Sequence, residues 1–364
     1  MRDYCHHDSA YMSNQNSQER FFNKDIRSAP TYNLCTSYSN LCHGLAHGLK
    51  GKLSRPKYYR FALDQGAQLY ALYQALRTRN YQPQPCHHFE VFCRSGNKTR
   101  LISEPAAIDN ILHHALYLQL YWFFDRRFIF DSYGCRIGKG TKKASDRCQY
   151  FMRQAPANSY CLQLDVRKFY YRIDHNILRQ TLEHHLSDPE LINLLMQLVN
   201  NEDGATVGLN VGAMLSQLYG LIYLNELDHY IKRVLKVKRY IRYVDDMVII
   251  GYSKEECLRL REQITAFLQK QLKLSLSKAN IFPLSQGVNF VGYRTWRQRR
   301  LVRTISLKRF HRNLKLGKIK SLQAQLAHAQ GTASRGYMLH MLKKQLTPEQ
   351  IAQFTGEASH DLQL

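Results

Sequence analysis

The 364-residue chain carries 52 Lys and Arg against 28 Asp and Glu, a formal charge of +24. That balance argues against an ordinary metabolic enzyme and implies a polyanionic partner, nucleic acid first and an anionic membrane surface second. Hydrophobic residues make up 44%, enough for a real core, and no apolar run approaches the roughly 20 residues that a bilayer span needs.

Residues 1–50 are polar, rich in Ser, Asn, Tyr and His, and aperiodic, which predicts an N-terminal extension. Its start, "MRDYCHHDSAYMSNQNSQER", has no apolar signal-peptide centre, so a cytoplasmic protein is expected. In "YRFALDQGAQLYALYQALRTRNYQP" Leu63, Leu69, Leu72 and Leu76 recur at helical spacing, and Pro83 should close the helix. "CHHFEVFCRSGNKTRLIS" reads as a hairpin around "RSGNKT". "AAIDNILHHALYLQLYWFFDRRF" is an amphipathic helix, with His113 and His114 expected at its surface and core edge rather than as a ligand pair. "SYCLQLDVRKFYYRI" alternates like a buried strand, and "HNILRQTLEHHL" and "PELINLLMQLVN" follow as helices. A Gly-punctuated loop, "VGLNVGAM", leads into a long helix to Leu235. "KRYIRYVDDMVIIGY" is strand–turn–strand, with Asp expected to take the unusual turn angles. Ser253 should cap the helix "SKEECLRLREQITAFLQKQL", and short strands return through Trp296. Residues 297–320 hold ten Lys or Arg and no acid, and the tail after Thr347 turns acidic. Mixed helices and strands with an antiparallel element at the acids indicate an α+β fold.

The nine cysteines are scattered without a Cys-x-x-Cys pair and read as reduced thiols. Two clusters, Cys35/Cys42/His43/His47 and Cys86/His87/His88/Cys93, fit no common zinc module.

The adjacent Asp245 and Asp246 alone could be a solvated turn. A third acid changes the reading, because Asp165 ends the strand "CLQL". One Asp at a strand end and an Asp pair on a hairpin is what two-metal phosphoryl transfer requires. Two Mg²⁺ ions, with Mn²⁺ a possible substitute, would take carboxylate oxygens plus substrate phosphates. Nucleic acid is then the polyanion that the charge calls for.

"DVRKFY", "GLNVGAMLSQ", "YVDD" and "FVGY" resemble, in order and spacing, the palm of a reverse transcriptase, and "NKTRLIS" and "DSYGCRIGKGT" resemble its fingers. The likeness covers residues 60–295 and implies a right-hand polymerase of fingers, palm and thumb, with an antiparallel palm sheet and a helical thumb. Its implied divisions are an extension over 1–50, fingers and palm over 51–293, a basic helical thumb over 294–346 and a polar, acidic tail over 347–364.

By the resemblance Asp165, Asp245 and Asp246 are the metal-binding catalytic acids. Arg100, helped by Lys98, would neutralise the incoming triphosphate, and Lys278 would sit near the pyrophosphate leaving group. Tyr170 would abut C2′ of the sugar and favour deoxynucleotides. Val211, Gly212 and Gln217 would line the loop under the nascent pair, and Phe290, Val291, Gly292 and Tyr293 would form the primer grip. Arg297, Arg299, Arg300, Arg303, Lys308, Arg309 and Arg312 occupy the thumb position and should hold phosphates without sequence preference. Core packing is the expected use of Trp296 and Phe310.

Many reverse transcriptases carry Q-G-x-x-x-S-P where this chain has Val211 to Gln217, reading V-G-A-M-L-S-Q. That departure, with "RYVDD" and "LYGLIYLNELDHYIK", is similar to the reverse transcriptases of diversity-generating retroelements. The likeness implies a bacterial or phage-encoded enzyme that copies template RNA into cDNA from deoxynucleoside triphosphates, with errors opposite adenine. It also implies a small basic oligomeric accessory protein and no membrane partner. Asn110 stands where that group usually has arginine, and Val291 where leucine is usual. A retron or abortive-infection reverse transcriptase is the first alternative. A non-catalytic RNA-binding protein on a polymerase fold is the second, and three intact acids argue against it.

Overall fold

The computed structural model describes residues 28–93, 98–199 and 204–347. Within the expected extension, residues 28–50 belong to the fold. Helices α1 (Tyr32–Cys35) and α2 (Tyr38–Leu49) place Tyr32, Cys35 and Leu41 in the main core. The polar composition is misleading because its polar groups are paired inside. Asn40 Nδ2 donates to the Ala115 carbonyl at 3.0 Å, and its Oδ1 accepts from Gln119 Nε2 at 2.7 Å. The remainder of the extension, residues 1–27, lies outside the described residues.

The helix expected through Leu63 and Leu76 is two helices, α3 (Pro56–Leu63) and α4 (Gln65–Arg77). The chain leaves helical geometry at Asp64 (φ −131°), whose backbone N–H closes the first helix on the Phe61 carbonyl. Leu69, Leu72 and Leu76 are buried as the periodicity requires, whereas Leu63 is 73% exposed. Leu72→Ala should therefore cost about 2–5 kcal/mol, while Leu63→Ser should stay within about 0.5 kcal/mol of the parent. Denaturation midpoints of the two variants check this, and equal midpoints would contradict it.

Strands β1 (His87–Cys93) and β2 (Lys98–Glu104) pair antiparallel in the expected hairpin, with the turn outside the described residues. Helix α5 (Ala107–Asp125) is apolar nearly all round and runs through the core. Its two histidines are interior rather than peripheral, at 1% exposure for His113 and 5% for His114. His114 Nδ1 lies 2.8 Å from His47 Nδ1, and burial holds both imidazoles well below their usual range. No disulfide joins cysteines among the described residues.

Helix α6 (Thr141–Gln154) precedes β3 (Tyr160–Val166). Helices α7 (His175–His185), α8 (Pro189–Gln197) and α9 (Met214–His229) follow, α9 running into one π turn over Tyr230–Val234. Strands β4 (Tyr240–Tyr243) and β5 (Asp246–Tyr252) form the acid hairpin. Helix α10 (Lys254–Leu272) begins with the expected Ser253–Glu256 capping box, and β6 (Leu276–Pro283) closes the set. The central sheet is antiparallel in the order β4-β5-β3-β6.

Alternation along these strands decides which side chains face which layer. Leu162, Leu164, Met247 and Ile249 enter the main core with α5 and α9. Cys161, Val248 and Ile250 face Ala144, Cys148, Phe151 and Met152 of α6 on the opposite side. Gln163, Asp165 and Asp246 lie on that second face, Gln163 buried in mid-strand and the two aspartates near the strand ends where the apolar cover stops.

Strands β7 (Val288–Phe290), β8 (Tyr293–Thr295) and β9 (Arg300–Val302) make a second antiparallel sheet. Helices α11 (Thr304–Lys315), α12 (Ile319–His328) and α13 (Ser334–Gln345) pack on it around Val302, Phe310, Leu322 and Met338. The basic segment thus contributes to a core of its own, with strand β9 standing where the resemblance implied helix. The acidic tail from residue 348 lies outside the described residues. Among the described residues no helix is long and apolar enough to cross a membrane.

Candidate active site

Antiparallel register brings the acids together. Asp165 stands opposite Asp246 on one side and opposite Lys278 on the other, and Asp245 occupies the β4–β5 turn one residue before Asp246. All three are half-buried. Burial, then the Asp165 charge, pushes the Asp245 carboxyl up to about 6. Burial likewise raises Asp246 to about 6, against the pull of a Gln163 hydrogen bond and of Lys278. The Ser277 hydroxyl donates to the Asp165 carboxylate.

Carboxylates crowded in low dielectric ionise reluctantly unless a cation joins them. Among the described residues no three His, Cys, Asp or Glu side chains converge as a ligand cage. The donor set nevertheless suits a hard divalent ion, because Mg²⁺ is commonly held by one or two carboxylates plus water and substrate phosphates. Here the oxygens of Asp165, Asp245 and Asp246 would hold it.

The turn under Asp245 is strained, and not at the residue expected. Val244, not an aspartate, has positive φ (56°). A β-branched residue rarely adopts that geometry and keeps it only where its surroundings over-determine it. The contacts around it do so. Arg242 Nη1 donates to the Val244 carbonyl at 3.0 Å. Its Nε and Nη2 clasp the Asp228 carboxylate at 2.8 and 2.5 Å, with both side chains at 0% exposure, and Tyr240 adds a third donor to Asp228 at 2.7 Å. From outside, the segment around Tyr133 bonds the Arg242 backbone, and Gly134 presses against the turn. A Cβ at Gly134 would lie 2.7 Å from the Val244 nitrogen, so only glycine fits.

The remaining predicted residues gather around this point to different degrees. Tyr170 follows β3 and packs against Gly220 of α9, close enough to Asp245 for that charge to raise its hydroxyl pKa further above the range set by burial. Arg100 is exposed on β2, and its charge reaches Asp245. The Val211–Gly212 loop is docked on the same strand, the Val211 carbonyl accepting from Ser103 N at 2.8 Å. Gly212 has φ 128°, and a Cβ there would lie 3.2 Å from the Ser103 oxygen. Gln217 is exposed in the first turn of α9. Lys278 flanks Asp165, and the Lys98 side chain lies outside the described residues.

A family profile described as "Reverse transcriptase (RNA-dependent DNA polymerase)" matches residues 94–295, the span that holds the three acids and every loop around them. The chain belongs to the reverse transcriptase family. Relatives include the protein YkfC of Escherichia coli, 24% identical over 64% of this chain and 72% of YkfC. Another is the group II intron-encoded protein LtrA of Lactococcus lactis, 23% identical over 60% of this chain. This reverse transcriptase spans 48% of LtrA, about half its length. Among solved structures, telomerase from Candida albicans aligns with 76% of this chain and 58% of its own, at 12% identity and a TM-score of 0.47.

Several expected contacts of this reverse transcriptase are corrected. Phe290 and Tyr293 are core residues, the Tyr293 ring stacked on His328 at 4.5 Å, so the Val291–Gly292 turn (φ 44° and 92°) is what the hairpin presents. Arg300 is 8% exposed and paired with Asp146 at 2.5 Å instead of facing outward. Arg297 is spent on the Ala155 carbonyl. Arg299 is exposed over the Trp296 ring, and Phe310 is buried as expected. Lys308 and Arg312 are exposed, Arg309 half-buried. Arg303 turns inward until its charge reaches Asp246, leaving its buried Nε without a hydrogen-bond partner. Sequence reasoning did not single out Arg242, Asp228, Gln163 or Gly134. Arg242 and Asp228 were visible as charges inside otherwise apolar runs, whereas Gln163 and Gly134 carry no local signal.

Proposed function

We propose that this reverse transcriptase extends a primer along template RNA by two-metal phosphoryl transfer at Asp165, Asp245 and Asp246. The observation that carries this is the convergence of three half-buried carboxylates, Asp165 opposite Asp246 and Asp245 on the adjoining turn. Their burial and crowding hold Asp245 and Asp246 above the usual carboxylate range, a charge deficit that divalent ions would cancel. The bound ions would stabilise charge on the attacking and leaving oxygens. Asp165 and Asp246 sit opposite each other on rigid strands, so their oxygens need little reorganisation, and the Val244 turn presents Asp245 beside them. Arg100 would neutralise the triphosphate from the β2 side and Lys278 the departing pyrophosphate from the β6 side. Lys98 would assist Arg100. The Tyr170 ring would exclude a 2′-hydroxyl. The Val291–Gly292 turn would support the primer end, and Arg299, Arg303, Lys308, Arg309 and Arg312 would hold phosphates. Residues 51–293 then act as fingers and palm and 294–346 as thumb.

The finer reading is a diversity-generating retroelement, in a bacterial or phage setting, cytoplasmic, with a small basic accessory protein. Val211 supports it. Its backbone is fixed to Ser103 while its aliphatic side chain can offer no hydrogen bond to a nucleotide. Copying an RNA template that contains all four bases, then sequencing the cDNA, tests this reading. Errors concentrated opposite adenine, reduced about threefold or more in Val211→Gln, are expected if one hydrogen bond of roughly 1 kcal/mol is gained in the site. An even error spectrum, or one unmoved by the substitution, would contradict it.

A further inference from the structure

Gln163 lies two residues before Asp165 on β3, and the period of a strand puts both on one face. It is 3% exposed. Its Nε2 carries two N–H bonds, and both are committed: one to Asp246 Oδ1 at 3.0 Å, the other to the Asn289 carbonyl at 3.0 Å. Asn289 is the middle residue of β7, two residues before Val291 of the Val291–Gly292 turn, and β7 and β8 are held in turn to α12 through Tyr293, whose hydroxyl donates to the His328 carbonyl at 2.8 Å. One nitrogen therefore joins an acid of the reacting centre to the backbone of a different sheet.

We infer that Gln163 is a positioning residue that locks the primer-side hairpin to Asp246, so that the end of the primer and the acid site keep a fixed spacing. This rests on the polymerase reading above. A primary amide suits the task because it supplies two donors from one atom without adding charge. Lysine would neutralise Asp246 and oppose metal binding, and asparagine is a methylene too short to reach both acceptors. The link acts on the primer and not on the triphosphate, since Arg100 and Lys278 approach from β2 and β6.

The test compares Gln163→Met, which keeps length and loses both donors, with Gln163→Asn, which keeps donors and loses reach. Initial rates are measured with primer·template and with deoxynucleotide varied separately, alongside primer·template affinity in EDTA and the melting temperature. Displacements of about an ångström can cost on the order of 10²-fold in rate. The expected result is a kcat lowered about tenfold to a hundredfold in both variants. KM and Kd for primer·template should rise about threefold or more, with the deoxynucleotide KM unchanged. Folded variants with parental kcat and primer KM, or with both KM values raised equally, would overturn the inference and leave the polymerase reading standing. A parent protein that extends no primer would overturn both.

Discussion

Asp245→Asn should abolish nucleotide incorporation and, at pH 7 without divalent ions, raise the melting temperature. The two effects share one cause. Folding lifts the Asp245 carboxyl from 3.8 to about 6, through burial first and Asp165 second. The folded state thus holds this proton more tightly than the unfolded chain. That preference is fully present below pH 4 and is lost as pH rises through about 6. At pH 7 the carboxylate is ionised in both states and the folded one bears the repulsion. The shift corresponds to about 3 kcal/mol at most, and partial exposure reduces it to about 1–2 kcal/mol. Asparagine removes the charge in the same volume, so a gain of a few degrees is expected at pH 7 and none near pH 4. Thermal scans in EDTA at both values check it. A melting temperature lowered at pH 7 would contradict the charge deficit on which the metal site rests.

Arg242→Ala should have the largest effect on stability. It would leave the Asp228 carboxylate buried at 0% exposure with the Tyr240 hydroxyl still donating to it, a loss of about 3–5 kcal/mol. Arg242→Lys does not rescue it, because an ammonium cannot reproduce the planar fork that spans Asp228 and the Val244 carbonyl. Replacing both partners, as Arg242→Met with Asp228→Leu, should restore most of the stability, since apolar residues of similar volume often substitute for a buried ion pair. Activity should stay low, because the Val244 carbonyl still lacks its side-chain donor and the φ 56° geometry is held less firmly. Denaturation and primer extension on the three variants separate these effects. Full activity in the double variant would show that the bond to Val244 is dispensable.

The acid site was legible because each part has a local signature. Apolar alternation marks the strands of Asp165 and Asp246, and adjacent acids between two apolar runs mark the turn. Register then follows from which face is buried. What failed to show had non-local causes. Asn40 fell within the expected polar extension because its partners, Ala115 and Gln119, lie far along the chain. Leu63 fitted the helical period but belongs to a different helix from Leu69, since Asp64 interrupts the repeat. Positive φ fell on Val244, not an aspartate, because Arg242 and Gly134 impose it from outside the turn. Arg300 looked like one cation among ten and proved to be a buried partner of Asp146. Gln163 was unreadable, because its importance lies in two acceptors contributed by other strands.

The most direct test of the central claim is incorporation of deoxynucleotides on a primed RNA template, with and without Mg²⁺, by the parent and by Asp245→Asn/Asp246→Asn. The account predicts Mg²⁺-dependent extension by the parent and none by the variant, with RNA binding retained by both. RNA binding without extension by the parent, or extension that survives the double substitution, would contradict it.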